Sequence, residues 1–457
     1  METTGYRKAL LALLVGLVLI VLVGSLGQPA AAWPEATIIV DRDDDASVSA
    51  CTSAANDCTL RGAIEYANSH GPDNIIRFDP AVQEILLEDR LPTITSPGTA
   101  IEGTDPGGTP FFPVINGINI DEMSGRWQID ASDVSIQYLS IINLPMYSSG
   151  LNVEISTATG VVIAHNYLGV TPQMQSCGDN VLVRNAHAAI RLAGALSGAA
   201  GPGNGTAYIY NNVIGCHIWN GGDGIELVDA NWVYVGEDPT GVAVPNYIGT
   251  DPANHDLGND EGMAVAAYFD NDDLEITIGP NWIAHNLGFG IDLHYTNTMG
   301  VLITGTTIYD NDGAGIRARL GALHNRWSHV SIYDNGGLGI DTGDEGVYTG
   351  TLPQVTAVNV VPGVISGTAS ASVPPLYTVR VELYRVAPDP SGHGEGKTYV
   401  GWDTTDTEGH WAITDPAGAD GCYTAFQTAK FIGLTVTYTS SEFGPNSCRG
   451  FLPLVEK

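Results

Sequence analysis

Asn286-Leu-Gly-Phe-Gly290-Ile291, Asn311-Asp-Gly-Ala-Gly315-Ile316 and Asn335-Gly-Gly-Leu-Gly339-Ile340 repeat one pattern, N-x-G-x-G-I. An isoleucine stands three residues before each Asn, at Ile283, Ile308 and Ile332. The Gly-Ile pairs lie 25 and 24 residues apart. A period in the twenties, built of short β-branched runs and Gly/Asn turns, marks a solenoid. Asn220-Gly-Gly-Asp-Gly224-Ile225 is an earlier copy, and Asn185-Ala-His-Ala-Ala189-Ile190 a degenerate one. The wider gaps around them fit the same period only with insertions or a weaker rung such as Gly262-Met263.

Between turns the runs hold about four to six strand-forming residues, as in Val301-Leu-Ile-Thr and His329-Val-Ser-Ile-Tyr333, with no long apolar period of 3.6. The expected fold is therefore all-β, a right-handed parallel β-helix. Its coils would stack about 4.8 Å apart with equivalent residues in register. Glycine would supply positive φ at the corners. The repeated Asn would bond to the coils above and below it.

Composition narrows the function. There are 51 acidic against 18 basic residues, a formal charge of −33. Nothing resembles the basic stripe that nucleic acid needs, so that partner is excluded. The acidity reads first as solubility. Only four lysines occur, which argues against a broad cationic groove for polyuronates.

Arg7 and Lys8 precede an apolar run over residues 9–24, followed by Gln28-Pro-Ala-Ala-Ala32. Residues 1–32 read as an export signal or, because the run is long, as an uncleaved N-terminal transmembrane anchor. The six cysteines fall into local pairs, Cys51 with Cys58, Cys177 with Cys216 and Cys422 with Cys448. An even count in an exported chain points to disulfides, although six cysteines allow 15 connectivities.

Cys58-Thr-Leu-Arg-Gly-Ala-Ile64 opens the one helical segment. Thr59 is placed to cap it, and Leu60, Ala63, Ile64 and Ala67 form its apolar face. Such a helix would cover the open end of the coil stack. This segment resembles the N-terminal Cys-Ser-Leu-Arg-Glu-Ala-Ile box of exported bacterial parallel β-helix repeat proteins, with Gly62 where that family usually has Glu. Asn246-Tyr-Ile-Gly-Thr-Asp251 with Leu257-Gly-Asn-Asp-Glu-Gly262 resembles the family's recurrent coil. Asp389-Pro-Ser-Gly-His-Gly-Glu-Gly-Lys-Thr-Tyr-Val-Gly401 is similar to a block in the β-sandwich that often follows. The resemblance implies architecture more than activity.

After Gly346 the runs lengthen and alternate. Strands are predicted at 355–361, 364–369, 377–386, 398–402, 410–413 and 434–438. We thus expect a β-helix over 33–348 and a small Ig-like β-sandwich over 349–457.

Register also places candidate site residues. With Ile291, Ile316 and Ile340 inward, Asp292, Arg317 and Asp341 face out on consecutive coils, with Glu226 on an earlier one. His294 and Arg319 follow two residues on. These five, Asp292, His294, Arg317, Arg319 and Asp341, are the expected ligand-binding set. An alternating Asp/Arg/Asp column is also how a sheet avoids like-charge contact. As catalysts, Asp292 and Asp341 would stand about 9.6 Å apart, near the upper limit for an inverting pair. Arg317 between them, however, would lower both pKa values, which suits no general acid. Gly392-His-Gly394 and the single Asp of Gly222-Asp-Gly224 are set aside as sites. Asp270, Asp272 and Asp273 could hold calcium, but without an EF-hand or nonapeptide repeat the solvated turn is the preferred reading. No other cofactor is expected. The sequence reading is an exported or cell-surface binding protein, adhesin-like, with an extracellular polysaccharide or surface component as partner. Its alternative is a polysaccharide hydrolase or lyase working along the same face.

Overall fold

The computed structural model describes residues 36–120, 127–144, 150–154, 158–177, 187–194, 207–218, 221–268, 274–343, 352–359, 363–386, 395–419, 421–433 and 436–447. The leader, Asp270, Asp272, Asp273, the Gly392–Gly394 triplet, Cys448 and the expected boundary at 348/349 lie outside them. Among the described residues, no helix is long and apolar enough to cross a membrane.

Three parallel sheets wrap one core. A ten-stranded sheet runs from Ala36–Val40 to Arg326–Ser328, a nine-stranded sheet from Glu84–Leu86 to Ser331–Tyr333, and an eight-stranded sheet from Trp127–Ile129 to Ile340–Asp341. Consecutive coils contribute one short strand to each sheet, so the chain is a parallel β-helix. The quoted repeat lies in register as expected. Ile190 pairs with Ile225, Ile225 with Met263, Met263 with Ile291, Ile291 with Ile316 and Ile316 with Ile340. All six are at most 2 % exposed and belong to one continuous apolar core.

The repeat glycines serve a purpose other than the one expected. Gly224, Gly262, Gly290 and Gly315 are not among the positive-φ residues. Instead, a Cβ on each would meet a carbonyl of the next coil, at 2.6, 2.4, 2.5 and 2.6 Å in turn. On Gly290 it would also meet Ile308 Cγ2 at 2.5 Å. Close stacking, not turning, demands glycine here. The left-handed corner falls on the residue before the ladder Asn: His285 (φ 60°), Asp310 (φ 51°) and Asp334 (φ 58°).

Two asparagine ladders follow. The backbone N–H groups of Asn259, Asn286 and Asn311 donate to Oδ1 of Asn286, Asn311 and Asn335 at 3.0, 3.1 and 3.2 Å. A second column links Asn166, Asn212, Asn246 and Asn281 in the same way. Each rung satisfies a corner N–H that no sheet hydrogen bond reaches.

Both ends of the stack are closed. At the first, helix Leu60–Ser69 buries Leu60, Ala63, Ile64 and Ala67, and Thr59 Oγ1 accepts from Gly62 N–H at 3.0 Å. A Cβ at Gly62 would lie 1.9 Å from the Val48 carbonyl, which is why no side chain stands there. The Cys51–Cys58 disulfide holds the segment before the helix, and Cys177–Cys216 tethers an outer loop.

At the far end, the C-terminal domain of three- and four-stranded antiparallel sheets acts as the lid. Gly396 accepts from Ile332 N–H at 2.9 Å, as a further coil would. Glu395 Oε1 accepts both Asn335 amide donors at 3.1 Å, substituting for the next ladder Asn. Tyr384, Phe426 and Phe443 join the β-helix core. Strand Cys422–Ile432, eleven residues and central to the four-stranded sheet, was not anticipated. Its Ala-Phe-Gln-Thr-Ala-Lys interior is buried on both faces at its start, so it does not alternate.

Two substitutions separate these constraints. Gly290→Ala forces an added methyl against Gly315 and should cost about 1–3 kcal/mol. Asn311→Ala strands the Asn286 donors and should cost roughly 3 kcal/mol. Urea unfolding of both variants measures the two costs.

Candidate functional site

The eight-stranded face carries the charged column. Arg191, Glu226, Ala264, Asp292, Arg317 and Asp341 occupy one register position on six successive coils. The structure brings the predicted residues together but corrects their exposure. Asp292 is fully buried. Its carboxylate accepts from Arg317 Nε and Nη2 at 2.9 and 2.8 Å and from Arg319 Nη2 at 2.9 Å, and His294 Nδ1 lies 3.1 Å away. The Arg317 guanidinium covers the Phe289 ring, 3.3 Å from its centroid. The long side chains of the neighbouring coil fold over the short one, which parity along a single strand does not reveal. Asp341 turns to its own corner, accepting from Gly343 N–H at 2.9 Å. Glu226 pairs with Arg191 at 2.9 Å.

The buried carboxylates of this face titrate in opposite directions. Burial alone would push Asp292 up, but hydrogen bonds from His294, Arg317 and Arg319 outweigh it and hold the group well below the usual carboxylate range. Asp223 is pushed well above that range, first by burial and then by Glu261, Glu226, Asp292 and Asp260. Glu261, the register partner of Asp223, is raised by burial and by Asp292, with Arg317 and Arg319 opposing. A carboxyl whose pKa is raised thus shares a face with one whose pKa is depressed. Sequence reasoning set Asp223 aside as a corner residue. Its one signal was a carboxylate in the inward phase of the repeat, two residues before Ile225.

Two aromatic residues complete the face. Tyr268, 53 % exposed, follows strand Glu261–Ala266, and Tyr295 follows Ile291–His294 on the next coil. Their ring centroids are 4.5 Å apart, and Tyr295 lies against His294 at 4.6 Å. The hydrogen bond with Tyr295, aided by burial, pushes the Tyr268 hydroxyl up to about 12. Neither tyrosine belonged to the expected set. A surface recess near the N-terminal end, among Asp43, Asp44, Asp45, Gln83, Glu84 and Glu88, adds no base or ring to its carboxylates and reads as a solvated acidic rim.

No protein-family model matches the chain. No curated protein matches it either. Among solved structures, it is similar to the A-module of the Azotobacter vinelandii mannuronan C-5 epimerase AlgE4, at 14 % identity over 61 % of this chain and 73 % of that one, with a TM-score of 0.36. It is also similar to the periplasmic alginate epimerase AlgG, at 13 % identity over 61 % and 66 % with a TM-score of 0.33. The tailspike protein of Escherichia coli bacteriophage HK620, solved in complex with a pentasaccharide, matches at 7 % identity over 81 % of each chain with a TM-score of 0.26. No residue correspondence follows at these levels.

The opposed carboxylates predict opposed pH profiles. The folded Asp292 titrates below its unfolded value, so its contribution is complete above about pH 4 and fades as pH falls through the folded value. Asp292→Asn should therefore lower stability near neutrality, with the gap to the parent protein narrowing below about pH 4. Asp223 titrates above its unfolded value, so Asp223→Asn should gain on the parent as pH rises from about 4. Thermal melts between acid and neutral pH measure both.

Proposed function

We propose that the protein is an exported or cell-surface glycan-binding protein whose ligand lies along the eight-stranded face. The observation that carries this reading is the Tyr268–Tyr295 pair at the rim beside His294 and Arg319, with Tyr268 exposed and Tyr295 half-buried. A sugar ring offers a face of C–H groups that packs on aromatic planes and a rim of hydroxyls that seeks hydrogen bonds. Aromatic rings next to convergent polar groups meet both needs. The strong net acidity favours a neutral glycan over a polyanion. Two disulfides among the described residues support an oxidising compartment.

Binding is preferred to turnover because Asp292 is committed to Arg317 and Arg319, and Glu226 to Arg191. The second reading, a polysaccharide hydrolase or lyase, draws on the raised Asp223 and Glu261 beside the depressed Asp292.

A panel of neutral and acidic polysaccharides, scored both for binding and for reducing-sugar or unsaturated-uronate release, tests the two. A Tyr268→Ala/Tyr295→Ala variant should lose at least about tenfold in affinity, while Trp282→Ala on the nine-stranded sheet should bind as the parent does. Unchanged binding by the double variant removes the site. Product release that Glu261→Gln abolishes makes the protein an enzyme.

A further inference from the structure

His187, Asp223 and Glu226 bring three unlike donors together on the eight-stranded face. One ligand atom from each lies within 4.8 Å of the other two. The backbone fixes this meeting. Asp223 N–H donates to the His187 carbonyl at 2.7 Å, and Ala188, next to His187, is the register partner of Asp223. Asp260 accepts from Gly221 and Gly222 N–H at 2.8 and 3.1 Å, tying down the approach to Asp223.

The side chain of Asp223 supplies an independent observation. Asp223 is only 5 % exposed, yet among the described residues no hydrogen bond reaches its carboxyl. Asp292, buried as deeply, takes donors from two arginines. A largely buried carboxyl that takes no described donor keeps only slight solvent contact, and its neighbours add to the cost. Glu226, Glu261 and Asp260 all add negative charge nearby. The cations at hand are committed elsewhere: Arg191 pairs with Glu226, and Arg317 pairs with Asp292 while lying 3.8 Å from Glu261. None of these cations forms an ion pair with Asp223 among the described residues.

We propose that His187, Asp223 and Glu226 bind a divalent transition-metal ion of the zinc kind. An imidazole beside carboxylates selects such an ion over calcium, which takes six to eight oxygen ligands. Zinc needs each donor at about 2.0–2.2 Å. His187 and Glu226 are partly exposed, and Glu226 would exchange its Arg191 contact for the ion, while Asp223 lies within its strand. Three protein donors leave a further position for water on the solvent side, the arrangement of an open rather than a purely structural site. Ion binding here requires no sugar, so it can hold or fail separately from glycan recognition.

Isothermal titration of zinc chloride into the tag-free protein tests the site, beside His187→Ala, Asp223→Asn and His410→Ala. The last removes the exposed competitor formed by His410 with Asp406 and Glu408, at 3.3 and 3.6 Å. Asp223→Asn keeps the shape and replaces a largely buried carboxyl by a neutral amide, so its fold is retained, and a metal-free melt checks this. The expected result is one ion per chain, bound roughly 100-fold more weakly by the first two variants and unchanged in the third. Zinc should raise the melting temperature of the parent and leave Asp223→Asn unmoved. Absence of saturable zinc binding overturns the proposal, as does binding that survives in both His187→Ala and Asp223→Asn. A calcium isotherm unaffected by His187→Ala, without zinc binding, overturns it too.

Discussion

Coil-to-coil contact is the constraint on which the rest of this molecule depends. Each turn must settle onto the next at about the strand spacing, or the three sheets cannot all pair at once. At the Gly-Ile corner that distance leaves no room for a Cβ, and the backbone of one coil touches the carbonyl of the next. The ladder asparagines answer the second demand of the same geometry, a side-chain partner for corner N–H groups that lie outside the strand pairing. Glycine and asparagine recur together because one close approach creates both problems.

A stack of this kind has two open ends, and the chain spends its non-repetitive segments on them. The first is closed by a helix seated so tightly that residue 62 must be glycine. The second is closed by imitation: Gly396 offers the carbonyl of a missing coil and Glu395 the oxygen of a missing asparagine. The C-terminal domain is therefore packed into the β-helix core through Tyr384, Phe426 and Phe443 rather than tethered beside it. Unpaired strand edges invite other chains, so both lids also protect against aggregation.

The side faces inherit their chemistry from register. Once Ile291 and its equivalents are fixed inward, the residues beside them become columns whose charges must be reconciled coil by coil. Around Asp292 this succeeds, with Arg317 and Arg319 from the next coil. Around Asp223 it does not, since Glu261 and Glu226 face it without a donor. That contrast between satisfied and unsatisfied carboxyls two coils apart gives the eight-stranded face its distinct regions.

The repeat alone carried the architecture: its period, the inward isoleucines, the asparagine ladder and the helical cap at Thr59 were all legible, because each arises from neighbours at a fixed spacing. The candidate site was legible only in part. Alternation placed Asp292, Arg317 and Asp341 in one column correctly, yet it could not show that Arg317 and Arg319 would close over Asp292. Nor could it bring Tyr268 to Tyr295 or His187 to Asp223, since insertions of differing length separate those pairs. Strand Cys422–Ile432 was missed for a related reason, since burial against the β-helix removes the alternation that would have announced it. Periodicity is local and survives in sequence. Which side chains cover, pair with or abandon one another depends on contacts between coils, and only the folded stack decides those.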